Sequence, residues 1–305
     1  MKSYAELEKI VSDLNLEATY DEPMAKHTSF KIGGNADVFL KVRTLAMLKE
    51  LLNALRAKAI PYFILGNGSN LLVSDSGIRG VVIKLVGDFQ KMELIGEDII
   101  ECGAGVHLIK LCRFAQQNAL SGLEFAYGIP ATLGGAVFMN AGAYDGEMKD
   151  VLLSTENLTP SGEQITLAAS ELDLSYRHSR YSVTGEIILS ARLKLNRGNA
   201  TRIKDKMDGF LARRREKQPL KYPNAGSVFK RPPGNYAGTL IQTCGLKGKK
   251  IGGAEVSTKH AGFIVNKGGA TCQDVLRLIS HIQATVFEKA DVALESEVRV
   301  VGDFS

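Results

Sequence analysis

Apolar residues recur along this chain at two spacings, and the alternation between them predicts its elements. Within residues 45–58, Leu48, Leu51, Leu52 and Leu55 fall at i, i+3, i+4 and i+7, the spacing of one buried helix face. Leu108, Leu111, Cys112 and Ala115 repeat that pattern, and so do Val275, Leu278, Ile279, Ile282 and Val286 within 273–288. Thr271 stands where a cap for that last helix belongs. Ile203, Met207, Phe210 and Leu211 mark a further helix, and Leu7, Ile10, Val11 and Leu14 an amphipathic start. Short apolar runs at 36–42, 61–65, 71–73, 80–85, 99–102 and 186–195 predict strands, with an extended approach at 21–24. The last strand ends at Asn196-Arg197-Gly198-Asn199, a turn signal. No internal repeat or low-complexity stretch interrupts this order, and the class it predicts is α+β with several lobes.

Composition adds little to that picture until charge is located. At 45% hydrophobic and 23% charged, the 305 residues suit a globular protein of two or three domains. Met1 is followed by a charged segment without an apolar h-region, and no apolar run approaches the ~20 residues of a membrane span. A cytoplasmic location is the resulting expectation. Cys102, Cys112, Cys244 and Cys272 lack CxxC pairing, which predicts buried free thiols. The five histidines form no HxH or HExxH pattern, so no metal site is expected. Residues 201–250 hold 13 Lys and Arg against 3 Asp and Glu, whereas the rest of the chain holds 25 against 30. That local positive field suits an anionic ligand, or is simply a solvated basic face.

Two glycine-rich loops carry the candidate chemistry. Gly66-Asn67-Gly68-Ser69-Asn70 lies between two strand-like runs. It has neither the third glycine of a dinucleotide fingerprint nor the Gly-Lys-Ser/Thr of a P-loop. Its glycines reach positive φ, so successive N–H groups can converge on an anion; an ordinary tight turn has the same composition. The second loop runs Gly128-Ile129-Pro130-Ala131-Thr132-Leu133-Gly134-Gly135, then Ala136 to Met139, then Asn140-Ala141-Gly142-Ala143-Tyr144. Crowded glycine and alanine let backbone lie flat on a planar ligand, or form a glycine-rich hairpin in a core.

These loops resemble the FAD-binding module of the vanillyl-alcohol oxidase type. The resemblance implies that Gly66, Asn67, Gly68, Ser69 and Asn70 hold the pyrophosphate. It implies also that Gly128, Ile129, Pro130, Thr132, Gly134, Gly135, Asn140, Ala141 and Gly142 lie along the flavin. Three further motifs, Ser175-Tyr176-Arg177-His178-Ser179-Arg180, 223–232 (PNAGSVFKRP) and 294–299 (LESEVR), narrow it. With Lys217-Gln218-Pro219 and His260-Ala261-Gly262-Phe263, they are similar in order and spacing to the UDP-N-acetylenolpyruvoylglucosamine reductases. The match runs from His27-Thr28 to Gly302. It implies hydride passing from NADPH to flavin and then to an enolpyruvyl carbon. Arg177 would take the carboxylate, Ser227 would be the proton donor, and Glu297, protonated or paired, would act on the same group. Lys217, Tyr222, Asn224, Lys230, Arg231 and His260 are the implied substrate contacts, with Lys230 a candidate helper of Ser227.

The resemblance further implies a module over 31–198 (lobes 31–86 and 87–198), a segment 1–30 packing on it, and a substrate domain over 199–305. Only 49 residues separate Arg177 from Ser227, which suits the shorter subtype without a tyrosine-bearing flap. The expected partners are NADPH and a nucleotide sugar, with no nucleic acid and no membrane, and a monomer is expected. Two alternatives compete: a different FAD-dependent oxidase or dehydrogenase of a small alcohol or hydroxy acid, and a nucleic-acid binder using the basic segment. The second is disfavoured by 7% aromatic content and the absence of a recognition motif.

No histidine or cysteine matches a covalent flavin attachment point in the wider oxidase group. Acid precipitation of the purified protein is therefore expected to leave its yellow colour in the supernatant. Colour retained in the pellet would refute non-covalent binding.

Overall fold

The computed structural model describes residues 5–304. The chain begins with helix α1 (Ala5–Asp13), strands β1 (Glu17–Pro23) and β2 (Asn35–Val42), and helix α2 (Leu45–Ala57). Strands β3 (Tyr62–Leu65), β4 (Leu71–Val73), β5 (Ile78–Leu85), β6 (Met92–Ile95) and β7 (Ile99–Gly103) follow. Next come helix α3 (Leu108–Gln117), strand β8 (Leu120–Ser121), helix α4 (Leu133–Phe138), and strands β9 (Gly142–Ala143) and β10 (Gly146–Glu147). Strands β11 (Leu152–Leu158) and β12 (Gln164–Ala168), the one-turn α5 (Tyr181–Thr184), strands β13 (Ile187–Lys194) and β14 (Asn196–Arg197) and the long helix α6 (Ala200–Lys217) continue the chain. It closes with α7 (Ala237–Thr243), β15 (Lys250–Ile251), β16 (Ala254–Val256), β17 (Ile264–Asn266), α8 (Cys272–Ala290) and β18 (Arg299–Val301).

The helices form where apolar spacing placed them, because each buries the stripe that defined it. Leu48, Leu51, Leu52 and Leu55 of α2 are buried, and so are Leu108, Leu111, Cys112 and Ala115 of α3. Thr44 begins α2 by accepting from Met47 N at 3.3 Å. Asn199 begins α6, its Oδ1 accepting from Thr201 N (3.0 Å) and Arg202 N (3.1 Å). In α6 only Ile203 and Met207 are fully buried, while Phe210 and Leu211 are half-buried. Strand β11 left no apolar alternation in the sequence, because Thr155 and Asn157 sit at 0% exposure within it. They are satisfied by Tyr181, whose hydroxyl lies 2.7 Å from Thr155 Oγ1 and donates to Asn157 Oδ1 at 2.8 Å.

The strands form a four-stranded sheet in the order β1-β2-β5-β3, a five-stranded sheet in the order β12-β11-β13-β7-β6, and smaller pairings. The five-stranded sheet is antiparallel throughout, with Ala191 opposite Cys102 and Thr155 in register. By packing, the chain divides into two units. One takes residues up to Thr19, Val38–Asn67 and Gly80–Arg213; the other takes Tyr20–Asp37, Gly68–Arg79 and Arg214 onward. Each has its own apolar core. In the first, α2, α3 and the central strands β13 and β7 supply the core; in the second, α8 does so with Phe30, Leu72, Val228 and Val298. All four cysteines are buried and free. No helix among the described residues is long and apolar enough to cross a membrane.

The second unit gathers residues distant in sequence, and backbone pairing is the cause. Strand β4 pairs in parallel with β18, matching Leu71 with Arg299 and Val73 with Val301. Just beyond β4, the Asp75 carboxylate accepts from Cys272 N (2.7 Å) and Gln273 N (3.0 Å) at the start of α8. Thr271 adds the predicted cap, its Oγ1 accepting from Asp274 N at 3.0 Å while Asp274 accepts from Thr271 N at 3.2 Å. The free N–H groups of that helix's first turn are thereby satisfied by side chains from two segments nearly 200 residues apart. Asp75→Ala is expected to lower stability by about 1–2 kcal/mol, a Tm shift of roughly 2–8 °C. Asp75→Asn, retaining one acceptor, should fall between. A scanning-calorimetry comparison checks the order, and equal melting of all three would remove Asp75 from the cap.

Candidate active site

In the first unit, the start of the first glycine loop, Gly66 and Asn67, meets the second loop about sixty residues on. Asn67 Nδ2 donates to Pro130 O at 2.7 Å, and a Cβ on Gly66 would stand 2.8 Å from Thr132 Oγ1. Thr132 caps the short α4, with Gly135 N 3.4 Å from its hydroxyl. A Cβ on Gly134 would meet Ala104 Cβ at 2.9 Å, and one on Gly142 would meet Gly146 O at 2.8 Å. At Gly66, Gly134 and Gly142 the protein's own close packing already excludes a side chain, the core alternative that composition had left open beside a planar ligand.

The first loop itself carries the observation that bears on a cofactor. The backbone N–H groups of Asn67, Gly68, Ser69 and Asn70 donate to no group among the described residues, and Ser69 Oγ has no partner there either. Gly68 has φ +60° and its Cβ position would lie 2.1 Å from His27 O, so only glycine fits. Gly68 is buried and the other three are half-buried, and four successive N–H groups without a protein acceptor suit an anion such as a pyrophosphate. The residues present thus fit FAD. His27 and Ser29, unmarked by any spacing signal, shape this loop: Ser29 N donates to Gly68 O at 3.1 Å.

The arginine motif is mounted on the second glycine loop. Ser175 and His178 close a two-residue turn through mutual backbone hydrogen bonds of 3.2 and 3.1 Å. Arg177 occupies its third position with φ +56°, a conformation glycine or asparagine usually supplies. Its guanidinium reaches Gly142 O at 3.4 Å and lies 4.8 Å above the centre of the Tyr176 ring. The turn is pinned on both sides. Ser179 Oγ donates to Phe138 O at 2.6 Å, Asn140 Nδ2 donates to Ser175 O at 3.0 Å, and Arg180 grips Glu186 with two bonds of 2.9 and 3.0 Å. Asn140, expected to touch cofactor, is wholly buried and its side chain is occupied by protein groups. Between Arg177 and Ser227 the chain forms α5, β13, β14, α6 and a connecting loop, with no inserted segment.

In the second unit, Ser227 and Glu297 come together through backbone. Phe229 and Ser296 form an antiparallel bridge, and Glu297 N donates to Val228 O at 2.7 Å. Gly226, with φ +80° and open space where a Cβ would be, turns the chain into Ser227. The half-buried Ser227 hydroxyl has no hydrogen-bonding partner among the described residues, so it is available to a ligand. Asn70 Nδ2 donates to Glu297 O at 3.1 Å, and Arg299 N donates to Asn70 O at 3.0 Å. Glu297 is therefore anchored to the loop that carries the free donors. Burial lowers the pKa of the Arg299 guanidinium nearby.

The expected substrate contacts sort less evenly. Lys230 pairs with Glu295, its ammonium with the carboxylate and its backbone N–H with the carbonyl. Asn224 shapes the loop: its Oδ1 accepts from Gly226 N at 3.0 Å and its Nδ2 donates to Tyr222 O at 2.8 Å. Tyr222 lies beneath the Lys267 ammonium, 3.7 Å from the ring centre, and hydrogen bonding to that lysine lowers its hydroxyl pKa. Arg231 stacks 4.0 Å over Tyr236. Lys217 is exposed at the end of α6, where Arg214 and Arg215 share the last turn and complement the carbonyl end of the helix. His260 Nδ1 accepts from Gly262 N at 3.1 Å, and burial lowers the ring's pKa. Its neutral form consequently carries hydrogen on Nε2. Among the described residues, no group of His, Cys, Asp and Glu could hold a metal ion.

The family model for the UDP-N-acetylenolpyruvoylglucosamine reductase C-terminal domain matches residues 218–301, and that for an FAD binding domain matches 36–168. The chain is 48% identical to the UDP-N-acetylenolpyruvoylglucosamine reductase of Oceanobacillus iheyensis over 98% of its own length and 96% of that protein's. It is 50% identical to the protein of the same name from Listeria innocua, covering 93% of this chain and 94% of the other. The crystal structure of UDP-N-acetylenolpyruvylglucosamine reductase from Thermus caldophilus superposes with a TM-score of 0.80 at 40% identity, covering 93% and 98% of the two chains.

The left-handed backbone at Arg177 has a measurable consequence. Arg177→Gly is expected to be more stable than Arg177→Ala by about 1 kcal/mol, because only alanine opposes that conformation. Chemical denaturation of the two variants checks the order; alanine equal to or above glycine would contradict the turn geometry.

Proposed function

The chain belongs to the UDP-N-acetylenolpyruvoylglucosamine reductase family, and from that premise we propose the roles of its residues in reducing UDP-N-acetylglucosamine enolpyruvate to UDP-N-acetylmuramate. That reaction, in peptidoglycan precursor synthesis, makes it an FAD-dependent oxidoreductase. The alternative of an alcohol or hydroxy-acid oxidase is set aside, since whole-length relatives carry the reductase name. The observation supporting the assignment of roles is the Asn70 side-chain bond to Glu297 O. It ties a loop of free backbone donors, suited to FAD, to the segment that bears the candidate acid.

Bound FAD supplies the two-electron chemistry, with NADPH as the proposed hydride source and the enolpyruvyl methylene carbon as the acceptor. The N–H groups of Asn67, Gly68, Ser69 and Asn70 are proposed to hold its pyrophosphate, and the backbone at Gly128, Ile129, Pro130, Thr132, Gly134, Gly135, Ala141 and Gly142 to lie beside its ring system. Hydride addition leaves negative charge on the adjoining carbon and its carboxylate, so the site must stabilise an enolate-like species and then protonate it. Arg177 is the proposed partner of that carboxylate, its planar fork suited to bidentate contact. Glu297 is proposed to hydrogen-bond the same group. Ser227 delivers its hydroxyl proton to the carbon next to the reduced methylene, a transfer plausible for serine only toward a strongly basic carbanion. Asn224, whose Oδ1 accepts from Gly226 N, is proposed to set the direction of that hydroxyl. Lys217, Tyr222, Arg231 and neutral His260 are proposed to receive the nucleotide sugar; the basic segment around them favours its diphosphate. A cytoplasmic location fits the soluble substrates.

Ser227→Ala is expected to separate the half-reactions. Flavin reduction by NADPH requires no proton at the product carbon and should stay within about threefold of normal. Reoxidation by the enolpyruvyl nucleotide should slow by roughly 10²–10⁴-fold, the scale for loss of a positioned general acid. Stopped-flow absorbance at the flavin band measures both, and an equal decline in the two would make Ser227 a structural residue.

A further inference from the structure

Asn140 is one of the few polar residues at 0% exposure, and it has φ +39°. Its side chain is fully used. Nδ2 donates to Glu147 Oε2 at 2.9 Å and to Ser175 O at 3.0 Å, while Oδ1 accepts from Lys149 N at 2.9 Å. An amide offers two donor hydrogens and acceptor lone pairs, so no other common side chain of this size meets all three demands. Glu147 is also the register partner of Gly142 in the β9–β10 pair, and Lys149 forms an ion pair with it. Gly142 in turn presents the carbonyl that the Arg177 guanidinium reaches. Ser175 is the first residue of the tight turn that displays Arg177. One amide therefore spans the two backbone strands between which Arg177 is held.

From this arrangement we propose that Asn140 is a positioning residue for Arg177: it sets the arginine turn against the Gly142 hairpin and so fixes where the guanidinium meets the substrate carboxylate. The inference rests on the reductase reading given above and on the role of Arg177 in it. Asn140 itself touches no reacting atom. Losing its amide removes one of the two donors to the Ser175 carbonyl, leaving only His178 N within the turn itself, and lets the turn shift relative to Gly142 O. A shift of that kind acts on the carboxylate end of the substrate and leaves nucleotide recognition alone.

The test uses the FAD-loaded protein with Asn140→Ala and Asn140→Gly, the latter chosen because glycine accepts the native φ and preserves folding. Bound flavin per chain and flavin reduction by NADPH are expected to remain within about threefold of the parent. Calorimetry on the oxidised protein should show affinity for UDP-N-acetylglucosamine enolpyruvate falling about tenfold, with affinity for UDP-N-acetylglucosamine, which lacks the carboxylate, unchanged. Flavin reoxidation by the enolpyruvyl nucleotide should slow by about 10–100-fold. Asn140→Asp places a carboxylate against Glu147 and should be worse; adding Glu147→Gln should recover part of the loss. Depleted flavin in both variants would assign Asn140 to the cofactor and overturn the proposal, as would equal weakening of both nucleotides or no change in either. If the parent protein is not reoxidised by the enolpyruvyl nucleotide, the reductase reading fails and the inference fails with it.

Discussion

The parallel pairing of β4 with β18 is the constraint on which the C-terminal unit depends. Three residues on each strand, 71–73 and 299–301, determine where the preceding loop lies and where the chain's last motif lies. Asn70 directly precedes β4 and Glu297 stands two residues before β18, and their bond follows from the register. Moving β4 by one residue against β18 would exchange the faces of β4, placing Leu72, now at 0% exposure, toward solvent. Asp75, two residues past β4, then meets the start of α8. A short strand thus joins the loop of free donors, the glutamate and the longest apolar helix of that unit into one rigid assembly.

In the other unit the organising interactions are buried polar ones. Asn140, Ser179 and the Thr155–Asn157–Tyr181 cluster each tie the chain between residues 175 and 181 to a different neighbour: the β9–β10 hairpin, the end of α4 and strand β11. Burial raises the Tyr181 hydroxyl to about 12, so it remains a neutral donor at any physiological pH. Such groups cost folding energy unless every donor and acceptor is matched, and here they are matched. What they secure is the location of an arginine held in a backbone conformation its side chain does not favour.

Electrostatics divides the basic segment into working and structural parts. Lys204 and Lys230 are paired with Asp208 and Glu295, and Lys206 lies 3.9 Å from the buried Glu124. Arg214, Arg215 and Lys217 close α6 at its carbonyl end. The excess of charge that suggested an anionic ligand is therefore partly a device for ending a helix and balancing local acids. Two further cations stand over aromatic rings, Lys267 on Tyr222 and Arg231 on Tyr236. Lys267 lies outside the segment where charge counting had directed attention.

By itself the sequence determined the local structure and the inventory of chemistry. Apolar spacing located α2, α3, α6 and α8, and Thr271 was recognisable as a cap, because periodicity and capping act over a few residues. The glycine loops and the motifs around Arg177, Ser227 and Glu297 were legible as motifs because their residue types are unusual together. Strand β11 was hidden by its buried Thr155 and Asn157, whose partner lies more than twenty residues away. Asn140 and Asn224 are expected from the resemblance as ligand contacts, and the structure shows their amides bonded to protein groups; Ser29 gives no signal, and His27 only marks where the resemblance begins. Those outcomes belong to tertiary structure for one reason. A hydrogen bond between residues 70 and 297, or 140 and 175, depends on how strands pair across long stretches of chain, and no local pattern encodes which distant group will arrive to satisfy an amide.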